Sequence, residues 1–453
     1  MTPKGLQECL INAIEVSPHD NATAYIATTR YKFNDHTPGL YKTTDYGKSW
    51  VKITNGIPNN AFTRVVREDE RQKNLLFAGT ELGLYVSWNG GKDWSSFQLN
   101  LPIAPITDLK LHQGDLIAAT SGRSFWILDD VSLVEQYKKD WKGLTIFKPE
   151  SAFLANGRSE LDKTDADFSG STSTEGVNPA NGIVLYYHLE GVSKDTNISL
   201  EIRDEAGNLV RRFSSRKDSL YKKWDGGPSE EPVLSTNNGL NRFVWNMRYP
   251  TLPGIPDVYY ECSYGGHKAT PGKYMFTLTL GGQQVSTTAE ILSNPLYVND
   301  ILNYNAYHRV MLEMEKEFTQ MHQMVNTIFA KKEQLEQLLQ SIPPEAPFKP
   351  IRVEGDALVK KMKTWDEAMV QRKSKAYDDV ENFPNKFTAN YIFLINQTES
   401  DIPVVNNPSF ELKKALDAEW AILKATATRI LENDVPALNK KLFDLGIGGI
   451  WKN

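Results

Sequence analysis

From about Asn12 to Asp130, apolar and β-branched residues come in strand-length runs separated by turn residues, which predicts β-structure. Residues 24–29, 75–80 and 115–120 each form such a run ending in small side chains, and residues 124–128, Ser-Phe-Trp-Ile-Leu, form another. The strand pattern returns between 182 and about 292, at 183–187, 198–202, 209–213, 241–246 and 273–280. There, residues 204–208, Asp-Glu-Ala-Gly-Asn, read as a hairpin turn, and Pro271-Gly272 opens a late strand. After Pro295 the period changes: Tyr307, Met311, Met314, Phe318, Met321, Val325 and Ile328 recur at steps of four and three, the seam of a helix packed on partners.

Pro343, Pro344, Pro347 and Pro350 mark a loop after that helix, with further helices expected at about 357–373 and 385–396. Ser409 reads as an N-cap ahead of Leu412, Leu416, Trp420 and Leu423, and Val435-Pro436 opens a last short helix. A bundle of about four helices results. The several short strands before it predict an immunoglobulin- or fibronectin-like β-sandwich. Residues 155–181, with an acidic stretch and then Ser169-Gly170-Ser171-Thr172-Ser173-Thr174, have linker composition.

A repeat lies inside the first β region. Residues 39–50, Gly-Leu-Tyr-Lys-Thr-Thr-Asp-Tyr-Gly-Lys-Ser-Trp, are followed 44 residues later by Gly-Leu-Tyr-Val-Ser-Trp-Asn-Gly-Gly-Lys-Asp-Trp. That period is close to the roughly 40–45 residues of a four-stranded propeller blade. In the first copy, Thr43, Asp45, Gly47, Ser49 and Trp50 occupy fixed positions; in the second, Ser87, Asn89, Gly91, Asp93 and Trp94 do. An aspartate there can accept backbone N–H bonds in a tight turn, the glycine supplies a positive φ, and the tryptophan packs between sheets. Asp45 could instead be a catalytic carboxylate, but each of these roles is local and needs no ligand. Gly47-Lys48-Ser49 imitates the end of a phosphate loop, yet Lys42 stands where the first glycine is required.

This pattern resembles the Asp-box (BNR) hairpin of sialidases, sortilin-type receptors and propeller glycoside hydrolases. The wider wording, including Phe77-Ala78-Gly79-Thr80-Glu81-Leu82-Gly83-Leu84-Tyr85 and Ala119-Thr120-Ser121-Gly122-Arg123-Ser124-Phe125-Trp126, resembles the last blades of large bacterial BNR-repeat, sortilin-like proteins labelled glycosyl hydrolases. The segments 239–249 and 270–274 resemble the domain that follows the propeller in that family. The resemblance implies a multidomain chain: C-terminal propeller blades over 1–154, a linker over 155–181, an immunoglobulin-like sandwich over 182–295 and an α-helical bundle over 296–453. Only about two blades and part of a third fit before Asp130, whereas propellers close with typically four to eight. The expectation is the C-terminal part of a longer protein, with the missing N-terminal blades supplied by that protein or by a second chain.

The 453 residues are 40% hydrophobic and 24% charged with a net charge of −5, which excludes a disordered chain and gives no basic footprint for nucleic acid or anionic membrane. No apolar run approaches the ~20 residues of a membrane span, and the first ten residues lack a signal-peptide core. Secreted or periplasmic localisation follows from the resemblance alone. Cys9 and Cys262 are too few for a disulfide framework or a cysteine zinc site, and the seven histidines form no metal-ligand motif. His308 and His322, 14 residues apart, share a helical face, which bundle solvation suffices to explain. No hydrolase elbow or dinucleotide fingerprint occurs, so neither cofactor nor metal is expected.

A glycosidase needs two carboxylates about 5–10 Å apart. Asp35, Glu68, Asp69, Glu81, Asp108, Asp129 and Asp130 are the candidates in the propeller part. Glu81, in a turn between two predicted strands, is the best placed to face a ligand, with Arg123 as its companion one blade on. The plainer reading has both pinning blade connections. A carbohydrate face on Trp245, Tyr259 and Tyr260 is the corresponding idea for the sandwich, against a core role for Trp245. The sequence therefore points to a binding or scaffold module for a glycan or protein ligand, with a glycoside hydrolase completed by further blades as the alternative.

Overall fold

The computed structural model describes residues 6–138, 141–155, 157, 159–162, 176–296 and 301–450. The serine- and threonine-rich run at 169–174 lies outside the described residues. The chain forms two compact units, Met1–Trp141 with Phe147–Glu150, and Lys142–Ile146 with Ser151–Asn453.

The first unit contains three successive antiparallel sheets, each a meander in chain order. They are β1 (Leu10–Val16), β2 (Ala24–Arg30), β3 (Asp35–Thr43) and β4 (Val51–Lys52); β5 (Thr63–Glu68), β6 (Leu76–Thr80), β7 (Gly83–Ser87) and β8 (Ser95–Ser96); and β9 (Ile106–His112), β10 (Asp115–Thr120) and β11 (Phe125–Leu128). A single helical turn, α1 (Ser132–Glu135), follows. The sheets stack face to face. Val66, Leu76, Ala78 and Trp94 share a core with Tyr25, Ala27, Leu40 and Ile53 of the first sheet region. On the other side, Val65, Phe77, Leu84 and Val86 share one with Ile106, Leu109, Leu116 and Ala118. Gly79 marks how close the second and third sheets come: a Cβ there would lie 2.7 Å from side-chain atoms of both Ile106 and Val65. Successive stacked meanders are consistent with a partial propeller, and every residue of β6 is buried.

The second unit opens with two sheets around one core. One is β12 (Thr145–Ile146), β14 (Ile183–Leu189) and β17 (Gly239–Trp245); the other runs β13 (Ala152–Phe153), β19 (Gln283–Leu292), β18 (Gly272–Leu280), β15 (Ile198–Asp204) and β16 (Leu209–Ser214), with β13 parallel to β19. Strand β14 alternates buried and half-buried positions, as a strand covered on one side must. Trp245 is fully buried, 5.3 Å from the Tyr274 ring and 5.7 Å from that of Phe276 in edge contacts, so it belongs to the core and offers no carbohydrate surface. Tyr260 is buried as well, its hydroxyl 2.7 Å from Thr388 Oγ1.

Helices follow: α2 (Ile301–Ser341), α3 (Lys349–Met369), α4 (Asp379–Asn382), α5 (Phe387–Ser400), α6 (Asn407–Arg429) and α7 (Val435–Asp444). All seven seam residues of α2 are buried. Helix α3 starts before the expected residue 357 because Pro350 sits in its first turn, where a missing N–H costs nothing. The cap of α6 is Asn406, whose side chain accepts from the Ser409 N–H at 2.8 Å, rather than Ser409 itself. The last helix is continuous with α6 through a π-helical stretch at Ile430–Asp434. Among the described residues no helix is long and apolar enough to cross a membrane.

Candidate functional site

The repeated turns are built from their own side chains. In residues 43–50, Asp45 accepts from the Ser49 N–H at 2.8 Å, the Ser49 hydroxyl at 2.6 Å and the Thr43 hydroxyl at 2.9 Å, while the Gly47 N–H donates to Thr43 Oγ1 at 2.9 Å. Gly47 has φ 79°. These donors, the Ser49 hydroxyl foremost, hold the half-buried Asp45 carboxyl down at about 2. Asn89 reproduces the geometry with an amide, accepting from the Asp93 N–H at 2.9 Å and the Ser87 hydroxyl at 3.0 Å. The Gly91 N–H donates to Ser87 Oγ at 3.0 Å. Trp94 is buried against the first sheet and donates its indole N–H to the Ile53 carbonyl at 2.7 Å. Trp50, at the matching position, is half-exposed, and its indole N–H has no acceptor among the described residues.

Glu81 lies in the turn between β6 and β7, half-buried, and accepts from Arg64 Nε at 2.6 Å; Arg64 in turn lies over the Phe62 ring. Arg123 occupies the corresponding turn between β10 and β11, but it is exposed and its guanidinium donates to the Gly122 carbonyl at 3.0 Å. Glu81 and Arg123 thus bond to different groups, each close in its own sheet. A second charged array crosses the leading strands β1, β5 and β9, which pack side by side. Arg67 stands at its centre, 3.6 Å from Glu15, 2.7 Å from Asp108 and donating to the Leu109 carbonyl at 2.8 Å. Burial raises the Glu15 carboxyl, and the Arg67 charge opposes that shift. Asp108 is among the carboxylates singled out from sequence, whereas Glu15 is not; its signal was only an acidic residue interrupting an alternating apolar strand.

Asp129, at the end of the third sheet, is half-buried beside Asp115 and Asp130; burial first, then those two charges, push its carboxyl up to about 6. Asp130 is engaged at the start of α1, accepting from the Ser132 N–H at 2.9 Å.

In the second unit a buried array of polar groups joins the loop after β17 to helix α2. His267, with no exposed surface, donates its backbone N–H to Glu315 at 2.6 Å, and its Nδ1 lies 2.8 Å from the other carboxylate oxygen. Its Nε2 is 2.9 Å from Nδ1 of the half-buried His308. The tautomers that satisfy all three groups put a proton on Nδ1 of each histidine, leaving His308 Nε2 as the outer acceptor. Tyr249 stacks on His267 at 4.2 Å. Burial and the neighbouring His267 lower the His308 pKa. A groove of about 730 Å³ adjoins, lined by Tyr249, Thr251, Glu315, Thr319, Gln320 and Gln323 among others. His308 is noted from sequence only for bundle solvation; His267 stands 41 residues from His308 and 48 from Glu315, beyond any local motif. Among the described residues no group of His, Cys, Asp and Glu is arranged to hold a metal ion.

No family model and no curated protein matches the chain. Among solved structures, YCF48 bound to a D1 peptide is 16% identical over 28% of this chain and 38% of that one, with a TM-score of 0.23. YCF48 from Cyanidioschyzon merolae is 16% identical over 40% of this chain and 54% of that one, TM-score 0.20. A GH74 enzyme from Niastella koreensis is 11% identical over 62% of this chain and 46% of that one, TM-score 0.23. This chain spans less than two thirds of the length of each. Likeness at this level carries no functional argument.

Proposed function

We propose that the chain is a binding and scaffold part of a secreted or periplasmic Asp-box (BNR, sortilin-like) propeller protein. In this reading the three sheets are propeller blades, the two-sheet core is an immunoglobulin-like domain over about 182–295, and the bundle over 296–453 carries further contacts. The observation that carries the proposal is the uneven covering of the blades. The second sheet is buried on both faces, whereas the first leaves Ile14 and Val16 66% and 64% exposed and the third leaves Phe125 and Ile127 74% and 59% exposed. Exposed apolar rows on sheet faces mark interaction surfaces. The charged array around Arg67, on the leading strands that line a propeller's axis, supplies polar groups for a glycan or protein ligand.

The test is a glycan and peptide array together with chromogenic glycosides on the purified chain. Ligand capture weakened by Arg67→Ala, without glycoside turnover, is expected. Turnover lost on Glu81→Gln would contradict the module reading and favour a hydrolase.

A further inference from the structure

The third sheet has three strands where the first two have four. In those two the outer strand follows a tryptophan: Trp50 leads into β4, paired with β3, and Trp94 leads into β8, paired with β7. Past β11 the chain turns away instead. The Val131 N–H donates to the Gly114 carbonyl at 2.8 Å, α1 follows, and the Trp88 indole N–H donates to the Val134 carbonyl at 2.9 Å.

The strand registers define what this leaves open. Ala78 pairs with Tyr85 and Ala118 with Trp126. The Thr80 and Thr120 hydroxyls close the two hairpins alike, donating to the Gly83 and Ser124 carbonyls at 2.9 and 2.6 Å, so Leu84 corresponds to Phe125 and Tyr85 to Trp126. The Ile53 N–H donates to the Leu40 carbonyl and the Phe97 N–H to the Leu84 carbonyl, each at 2.9 Å. The matching Phe125 carbonyl receives no donor among the described residues. Strand alternation turns the N–H and C=O groups of Phe125 and Ile127 to this same free edge.

A socket lies beside the edge. Trp94 shares its core with Leu40, Ile53 and Ile57 on one side and Leu76, Ala78 and Tyr85 on the other. One sheet further on, the corresponding residues are Leu84, Phe97, Leu101, Leu116, Ala118 and Trp126. All six line a single cleft of about 60 Å³, too small for anything beyond one side chain. Trp94 also donates its indole N–H to the Ile53 carbonyl at 2.7 Å and its backbone N–H to the Asn55 carbonyl at 2.8 Å. The counterparts of those acceptors, the Phe97 and Leu99 carbonyls, accept nothing among the described residues.

We propose that the β11 edge and this cleft bind an extended peptide with an aromatic anchor. The anchor fills the cleft and gives its N–H groups to the Phe97 and Leu99 carbonyls, and the two residues after it pair with Ile127 and Trp126 as a fourth strand. The residues that follow β11 are already committed to α1 and cannot supply it. A second copy has no such strand to offer, since among the described residues both tryptophan-led strands are paired. The site is separate from the Arg67 array on β1, β5 and β9.

The probe is a capped peptide of the chain's own residues 91–98, Gly-Lys-Asp-Trp-Ser-Ser-Phe-Gln, titrated against the full chain by fluorescence anisotropy. Saturable binding with a Kd below about 1 mM is expected. Trp94→Ala in the peptide should weaken it roughly 30-fold or more, and Ser95→Pro, which removes the N–H that meets the Ile127 carbonyl, roughly 10-fold. Amide exchange at Phe125 and Ile127 should slow on binding. Absence of binding would overturn the site. Equal affinity for the alanine peptide would overturn the socket; equal affinity for the proline peptide, or unchanged exchange, would overturn the edge pairing. A chain that self-associates alone and is released to monomer by the peptide would make a second copy the occupant, against the proposal.

Discussion

At the scale of single residues, local hydrogen bonds decide what the candidate carboxylates do. Asp45 and Asn89 accept the same backbone N–H and hydroxyl groups, so the turn needs an acceptor oxygen more than a charge. Thermal unfolding at neutral pH is expected to show Asp45→Asn modestly lower, because the charge is lost and the acceptor kept, and Asp45→Ala lower by several degrees. Because the folded Asp45 pKa is depressed, the charged side chain's contribution is present above pH 3.8 and is lost as pH falls towards about 2. A catalytic role would instead make the Asn variant inactive with little change in stability. His322 works in the opposite pH range. It is fully buried among Phe318 and Tyr260, and burial pulls its pKa from 6.5 down to about 3. The unfolded chain takes up a proton below pH 6.5 that the folded chain refuses, so acid costs up to about 1.4 kcal/mol per pH unit through this side chain. Urea midpoints followed downward from pH 6.5 should fall less steeply for His322→Leu than for the native chain; equal slopes would show that other groups govern the acid loss.

At the scale of elements, side chains distant in sequence fix the loop after β17 on α2. Glu315 serves both the backbone and the ring of His267, and these three polar groups are buried together. Glu315→Leu leaves the His267 donors unpaired and is expected to cost about 2–4 kcal/mol by denaturant unfolding, with Glu315→Gln costing less because one acceptor remains. A loss below experimental error for Glu315→Leu would show that the loop is held elsewhere. This array also marks the limit of sequence reading. The α2 seam was legible because seven apolar residues at steps of four and three have one packing solution. His267 and Glu315 lie 48 residues apart, with no local pattern to join them. The caps were half legible. Ser409 lies in the right turn, but its N–H is the donor, and the acceptor is Asn406 just ahead of Pro408. The two-residue strands β12 and β13 are too short for any period to mark.

At the scale of the whole chain, the 44-residue repeat made the successive sheets legible, because each copy brings the same hairpin between its third and fourth strands. It could not reveal the charged array on β1, β5 and β9. Arg67 reaches Glu15 and Asp108 across three sheets, and only stacking brings those strands together. Glu81 and Arg123 do occupy matching turns, yet Glu81 is held by Arg64 on the neighbouring strand, a pairing set by the β5 register rather than by the repeat.

The central claim is that the middle sheet is covered on both faces, whereas β1 at one end of the stack and β11 at the other keep exposed apolar residues. Carbene footprinting of the chain, diluted until light scattering reports a monomer, reads this directly. Heavy labelling is expected at Ile14 and Val16 and at Phe125 and Ile127, with Leu76–Thr80 of β6 unlabelled. Labelling of β6, or protection of all three segments in the monomer, would contradict it.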